Sequence, residues 1–161
     1  MNVAYLNPFI TSTRNVFETM IKVPFTLGRP YLKKGDERLY KLFRLSTVMQ
    51  LSGTVNGVVV LHLTEGAALT LVTGLTSTPT MKIDADVMDA VGEIGNMIIG
   101  TARKDLPPGE HKISMPKVVR PGEVIYPPGV VVIMIPADTG AGRFLLEIGL
   151  RTPAAAAPAA A

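Results

Sequence analysis

The most regular alternation of apolar and polar positions in this chain runs from Asp84 to Asp105. Apolar residues recur there at helical spacing and predict a helix with one stripe packed on a core. That stripe consists of Val87, Val91, Ile94 and Ile98. A polar stripe lies about 200° around the helix, at ~100° per residue. It consists of Asp89, Glu93, Asn96 and Gly100. Because Glu93 and Asn96 are three residues apart, we expect their side chains to be neighbours.

The ends of this segment also predict a helix. Asp84 is a suitable N-cap, and the Pro107-Pro108-Gly109 sequence prevents continuation. Gly92 and Gly95 are unusual, because each costs about 0.5–1 kcal/mol relative to Ala inside a helix. We therefore expect something to approach the helix closely at these positions, either another element of the chain or a partner protein.

The remaining pattern predicts a single domain over residues 1–152. A first helix is predicted with Asn7 as its N-cap and Pro8 as its first residue, ending near Val23, and a second with Thr64 as its N-cap. Strands are predicted at 24–33, 42–51, 58–63, 113–119, 130–135 and 144–150, the first three as a meander. The order α-βββ-αα-βββ predicts an α+β fold, with helices on a largely antiparallel sheet of about six strands. Residues 153–161 are rich in Pro and Ala and predict a disordered tail.

Composition excludes several kinds of site. The chain has 161 residues and no Cys, so we expect neither disulfides nor a thiolate zinc site. His62 and His111 are the only imidazoles, and His62 is interpreted as a core residue because it lies in an apolar strand pattern. Four methionines are interpreted as packing residues that fill gaps in the core. They are Met81, Met88, Met97 and Met115.

Charge and hydropathy argue against nucleic acid or membrane as partners. The net charge is +3, but the basic residues are scattered and Trp is absent, whereas nucleic-acid binding favours a basic stripe. The apolar runs at 58–63 and 130–135 are too short to span a bilayer, and no signal peptide is recognisable. A cytoplasmic protein is therefore expected.

The sequence Asp89-x3-Glu93-x2-Asn96 resembles the active-site motif of the CheC/CheX/FliY chemotaxis phosphatases. Residues 88–100 and the downstream segment Ile113-Ser114-Met115-Pro116-Lys117-Val118-Val119 resemble CheX most, and the predicted element order resembles CheX across nearly the whole chain. Members of the CheC type carry the motif on two helices. Here the first helix offers only Thr11-x3-Asn15-x2-Glu18, with amide and carboxylate exchanged, so one site is expected.

The resemblance implies a phosphatase that hydrolyses the aspartyl phosphate of a response regulator, CheY or a relative. Asn96 would hold the attacking water and Glu93 would pair with a lysine of the regulator. Asp89, Gly92 and Gly100 would belong to the docking surface, and Pro116 would match the proline of the family motif. The resemblance further implies that the regulator supplies Mg²⁺ and that this chain binds no cofactor.

A homodimer formed through the sheets is also expected from the resemblance. The segment Val130 to Ile135 supports it, because a solvated edge strand is rarely apolar on both faces.

Three other interpretations remain open at the level of sequence. The polar stripe is also compatible with an ordinary solvated helix face, and Gly92 and Gly95 with helix packing alone. The chain could also be a non-catalytic CheX-like adaptor, although a pure adaptor need not keep Asn96. A structural role in the flagellar switch, as in FliY, has no support from an additional domain.

Overall fold

The computed structural model describes residues 3–35 and 37–151, which form three α-helices and an eight-stranded antiparallel sheet. The helices are α1 (Val3–Asn15, continued by a π-helical segment Val16–Ile21), α2 (Glu65–Thr76) and α3 (Ala85–Asp105). The strands are β1 (Thr26–Leu27), β2 (Tyr31–Leu32), β3 (Leu45–Gly53), β4 (Asn56–Leu63), β5 (His111–Ile113), β6 (Lys117–Val119), β7 (Val132–Asp138) and β8 (Arg143–Arg151). Two 3₁₀ segments, Glu37–Leu42 and Pro121–Glu123, lie before β3 and after β6. The tail at 153–161 lies outside the described residues.

The strand order is β1-β7-β8-β4-β3-β5, with β2 also paired to β7 and β6 also paired to β3. The predicted α+β class and antiparallel sheet are confirmed. The sheet has eight strands where about six were predicted, since the segments 24–33 and 111–119 each form two short strands. The predicted meander is wrong, because β1 and β2 pair with β7 instead of β3. The alternation of apolar and polar residues within a segment predicts that a strand forms. It does not predict which distant strand of the chain pairs with it.

The start of α1 differs from the sequence prediction. The helix begins at Val3, so Asn7 is not its N-cap and Pro8 lies inside it. Pro8 cannot donate a backbone hydrogen bond, which disfavours an interior position. Tyr5 and Leu6 are buried in a cluster with side chains of α3 and the sheet. The free energy gained by burying them offsets the hydrogen bond that Pro8 cannot make.

The helices cover one face of the sheet, and loops cover the other. The two largest apolar clusters lie between helices and sheet, whereas Phe43, Met134 and Leu145 form a smaller cluster on the opposite face. The central strand β4 is therefore buried on both faces, which accounts for its continuous apolar sequence. Strand β7 is likewise internal, between β8 and the short strands β1 and β2. No helix among the described residues is long and apolar enough to cross a membrane.

Candidate functional site

Helix α3 forms as predicted and presents two different faces. Asp84 is the N-cap, and its Oδ1 accepts a hydrogen bond of 3.1 Å from the backbone N–H of Val87. The four residues of the predicted apolar stripe are all buried, together with Gly95 and Ala102. Glu93 and Asn96 are exposed on the other side. The helix therefore stabilises the fold with one face and leaves the other accessible.

Glu93 and Asn96 contact each other on this accessible face. Asn96 Nδ2 donates a hydrogen bond of 3.3 Å to Glu93 Oε2. Within the described residues, neither side chain has another hydrogen bond or an ion pair. A carboxylate with spare acceptor capacity therefore stands beside an amide whose carbonyl oxygen is unused.

Gly95 explains how α3 is held against the sheet. A Cβ atom on Gly95 would lie 2.5 Å from Thr47 Cγ2 and 3.1 Å from Pro116 Cβ, so Gly permits both elements to approach the helix. Thr47 is fully buried on β3, and its Oγ1 donates a hydrogen bond of 3.4 Å to the carbonyl oxygen of Val91. The close approach expected from the sequence is confirmed at this glycine, and the approaching element belongs to the chain itself.

Strands β5 and β6 pair with the same side of β3 and together form one interrupted edge strand. Pro116 lies in the bulge between them, beside α3. Ile113 pairs with Leu51 and Lys117 with Val48, so three residues of the edge face two residues of β3. Such an extra residue bends a strand and redirects its side chains, and Pro is tolerated there because it needs no partner for an N–H. The bulge splits the single strand expected from the sequence. It also brings Pro116 against Gly95, the residue next to Asn96.

Three other members of the predicted docking surface lie on the same side of α3 and have few neighbours. Asp89 and Gly100 are exposed, and Gly92 is half-buried. Among the residues that the structure describes, a Cβ on Gly92 would make only an ordinary contact of 3.6 Å with Val118 Cγ2, and a Cβ on Gly100 would meet nothing within 4 Å. Packing within the chain therefore does not explain why glycine occupies these two positions.

The interpretation of the methionines as core residues is wrong for three of them. Met81 is 85 % exposed, Met115 is 82 % exposed and Met88 is 40 % exposed. Met115 precedes Pro116 in the bulge, and Met88 lies one turn before Gly92 on α3. Flexible apolar side chains are common at binding surfaces, and two of these three, Met88 and Met115, are close in sequence to residues of the candidate site.

The reversed motif on the first helix has a different geometry. Asn15 and Glu18 are exposed, but the α-helix changes to a π-helix at Val16, which alters their spacing on the surface. Asn15 Oδ1 already accepts a hydrogen bond of 3.3 Å from Thr19 Oγ1. A single site remains our prediction.

Sequence reasoning missed a buried polar cluster on the loop-covered face of the sheet. Glu147 of β8 is fully buried and accepts hydrogen bonds from the hydroxyl groups of Tyr40 and Tyr126. His62 Nε2 lies 3.4 Å and Lys33 Nζ 3.8 Å from Glu147 Oε2. The only signal was one glutamate within the apolar sequence Phe-Leu-Leu-Glu-Ile-Gly-Leu.

Electrostatics within this cluster hold Glu147 in its charged form. Burial alone would raise the pKa of this carboxyl, but His62 and the two tyrosine hydroxyls outweigh burial and lower the pKa below its ordinary value of 4.5. Burial, followed by the nearby carboxylate, raises the pKa of Tyr40 and of Tyr126. Ser46 Oγ lies 2.7 Å from His62 Nδ1, so His62 is a buried core residue as predicted. No group of three or more His, Asp or Glu side chains within the described residues could hold a metal ion.

Comparison with solved structures finds this fold in CheC-like and CheX proteins. The chain is similar to a CheC-like superfamily protein from Shewanella sp. PV-4, with 27 % identity and a TM-score of 0.82, over 94 % of this chain and 99 % of that one. It is 30 % identical to the chemotaxis protein CheX of Desulfovibrio desulfuricans, with a TM-score of 0.75, over 91 % and 97 % of the chains. The CheX of a CheX–CheY–BeF₃–Mg²⁺ complex from Borrelia burgdorferi shares the fold at 20 % identity and a TM-score of 0.76, over 91 % and 97 %.

These likenesses define the class as a CheC-like domain. The family model for the chemotaxis phosphatase CheX matches residues 45–138. The chain therefore belongs to the CheX family of chemotaxis phosphatases. A search of curated proteins gives no match to this sequence.

Proposed function

We propose that this chain hydrolyses the aspartyl phosphate of a phosphorylated response regulator, CheY or a relative, in the cytoplasm. The observation that carries the proposal is the pair Glu93 and Asn96. The two side chains are hydrogen-bonded at 3.3 Å on an exposed helix face, beside Pro116, in a chain of the CheX family. The Borrelia complex, in which a CheX is bound to a CheY, supports a CheY-like partner.

We assign to Asn96 the role of positioning the attacking water. Hydrolysis of an acyl phosphate requires a water molecule in line with the phosphorus atom, and an amide can accept and donate hydrogen bonds to such a water at once. In the unbound chain, one of the two N–H groups of Asn96 Nδ2 donates to Glu93. When Glu93 turns to a lysine of the regulator, both N–H groups become available. Docking and water positioning would then occur in the same step.

The reacting aspartate and the Mg²⁺ ion belong to the regulator in this proposal. The chain contributes the amide, the carboxylate and a docking surface that includes Asp89, Gly92 and Gly100. Mg²⁺ would neutralise charge on the phosphoryl oxygens, while the chain excludes bulk water and orients one molecule.

We also propose that the protein is a homodimer. Strand β2 is an outer strand, and its residues Tyr31 and Leu32 are 43 % and 51 % exposed. Val131, just before β7, is 54 % exposed. Exposed apolar residues at a sheet edge favour association. Light scattering at micromolar concentration should give twice the mass of the chain, and a monomer would contradict the proposal.

The decisive experiment follows phosphate release from each response regulator of the same genome, phosphorylated in the presence of Mg²⁺. The wild-type protein should accelerate release from at least one regulator, and Asn96→Ala should not. If a regulator binds in a titration but its phosphate is released no faster, the non-catalytic adaptor is the better description of the chain.

A further inference from the structure

A groove of about 640 Å³ has three basic side chains in its wall. Arg44 comes from the start of β3, Lys82 from the segment before α3, and Arg120 from the end of the edge strand. We call this feature the basic groove. Its wall also contains Glu65, which lies 3.9 Å from Arg44, but both side chains are more than half exposed and such a pair is weak.

Lys82 and Arg120 are not neutralised by the chain. No ion pair within the described residues involves either side chain. Glu123 Oε2 accepts a hydrogen bond of 3.4 Å from Arg120, but the donor is the backbone N–H, so the guanidinium stays available. Two positive charges therefore face solvent in a concave surface.

The basic groove is close enough to Asn96 to be covered by the same partner. The edge strand passes α3 with Pro116 at Gly95 and Val118 at Gly92, and continues to Arg120. Four residues of extended chain span about 13 Å. A stable interface covers roughly 800 Å² on each partner, a patch about 30 Å across, so a regulator centred on Asn96 would reach the groove.

Charge provides the reason for such a groove. The exposed face of α3 carries Asp86, Asp89 and Glu93, none with an ion pair among the described residues. The proposed substrate surface carries a phosphoryl group and the carboxylates that hold Mg²⁺, and the ion offsets only part of their negative charge. Like charges that face each other across an interface disfavour binding, whereas a positive patch next to them attracts the partner and fixes its orientation.

We propose that the basic groove binds an acidic surface segment of the phosphorylated regulator and so orients it on α3. This inference rests on the proposed function, and it adds a specificity surface beyond the helix that carries Glu93 and Asn96. A regulator that lacks an acidic surface opposite the basic groove would be a poor substrate, even if its phosphorylation site were chemically identical.

The test compares two double variants that remove the same charges. Lys82→Gln with Arg120→Gln changes the groove. Lys22→Gln with Arg14→Gln is the matched control, since both residues are exposed on the α1 side of the molecule and have no ion pair within the described residues. Each double variant lowers the net charge by two.

The groove variant should raise KM for the phosphorylated regulator roughly 5- to 10-fold at low ionic strength, with kcat changed by less than about 2-fold. The difference from wild type should shrink as salt is added, because exposed charges are screened. The control variant should keep the wild-type KM. Equal KM values for the two double variants would overturn the inference while the phosphatase function stands.

A titration separates this inference from the proposed function. If the wild-type protein accelerates phosphate release from no regulator, the proposed function fails, but binding of the phosphorylated regulators can still be measured. Weaker binding by the groove variant than by the control would then support the groove as a docking surface. Equal binding by the two variants, or no binding of any regulator, would refute it.

Discussion

Two glutamates of this chain occupy opposite environments. Glu147 is fully buried between the sheet and its covering loops, with Tyr40, Tyr126, His62 and Lys33 around one carboxylate. Glu93 is exposed on α3 and interacts only with Asn96 among the described residues. The chain satisfies the hydrogen-bonding capacity of the first carboxylate and leaves most of that of the second unused.

The difference indicates which carboxylate stabilises the fold and which is available to a partner. A buried charge is tolerated only when it is paired, so Glu147 must keep its partners for the loops to remain on the sheet. An exposed charge needs no such support. Glu93 is therefore free to exchange its hydrogen bond with Asn96 for one with another protein. Glu147 could not do so without losing hydrogen bonds that stabilise the fold. Mutations at the two residues should have separable effects.

The largest effect is expected from Glu147→Ala. Removal of the carboxylate leaves two tyrosine hydroxyls without their acceptor and Lys33 without its ion-pair partner, and breaking a buried pair costs about 3–5 kcal/mol. Denaturant unfolding should show this decrease in the free energy of unfolding. Glu65→Ala, at an exposed ion pair, is the control and should lose less than about 1 kcal/mol. Similar losses in the two variants would contradict the structural role of the cluster.

Glu147 also gives a pH dependence with a defined sign. Its folded-state pKa is lowered, so its contribution to stability is fully present above the ordinary value of 4.5 and is lost as pH falls through the folded-state pKa. The wild type should therefore lose stability on acidification below pH 4.5, and Glu147→Gln should lack that component. Docking of a regulator at neutral pH should be the same for Glu147→Gln and wild type.

The second prediction concerns catalysis. Asn96→Ala should leave the free energy of unfolding within about 0.5 kcal/mol of wild type, because the side chain is exposed on a helix. Loss of a donor that acts at the reacting centre lowers rates by roughly 10²–10³, and we expect a decrease of that order in phosphate release. Asn96→Asp should be at least as slow, since an anionic group would face an anionic phosphoryl group.

Asn15→Ala is the matched control for Asn96, because it removes an exposed amide from the reversed motif on α1. It should release phosphate as fast as wild type if the chain has one site. A slow Asn15→Ala variant would reveal a second site, whereas a fast Asn96→Ala variant would remove the basis for the assigned mechanism.

The third prediction concerns docking. Glu93→Ala should weaken regulator binding with little change in stability, the reverse of the effect at Glu147. A charge pair at the rim of an interface contributes about 0.2–1 kcal/mol, and a fully desolvated pair costs roughly 2–5 kcal/mol when one member is truncated. Titration of the regulator measures the change, with Glu18→Ala on α1 as the matched exposed glutamate. Equal affinities for the two variants would reject the role assigned to Glu93.

The same contrast accounts for how much could be predicted from sequence. Helix α3, its N-cap and the pair Glu93 and Asn96 follow from spacing within one element, and the structure has all of them. The cluster of Glu147 joins residues from widely separated parts of the chain, so no local pattern contains it. Its members are Lys33, Tyr40, His62, Tyr126 and Glu147. Pro116 could be predicted only in part. The family resemblance identifies it in the sequence, but its contact with Gly95 depends on the register of β6 on β3, which the sequence does not reveal.

The smallest predicted effects are at Gly92 and Gly100 of α3, where stability and docking should change in opposite directions. Within the chain, Gly92→Ala and Gly100→Ala meet no obstacle, and replacing an interior helical Gly by Ala stabilises a helix by about 0.5–1 kcal/mol. Gly95→Ala is the internal contrast. Its methyl group would lie 2.5 Å from the buried Thr47, and overpacking of this kind destabilises by about 1–3 kcal/mol.

If the regulator approaches the backbone of α3, the two stabilising variants should nevertheless bind it more weakly. Thermal or denaturant unfolding gives the first quantity and titration the second, on the same three proteins. Gly92→Ala and Gly100→Ala with higher stability and unchanged affinity would remove both residues from the docking surface. Higher stability with lower affinity would show that glycine at these two positions lowers helix stability because a partner needs the space. We expect this result because a Cβ on Gly100 would meet nothing within 4 Å among the described residues.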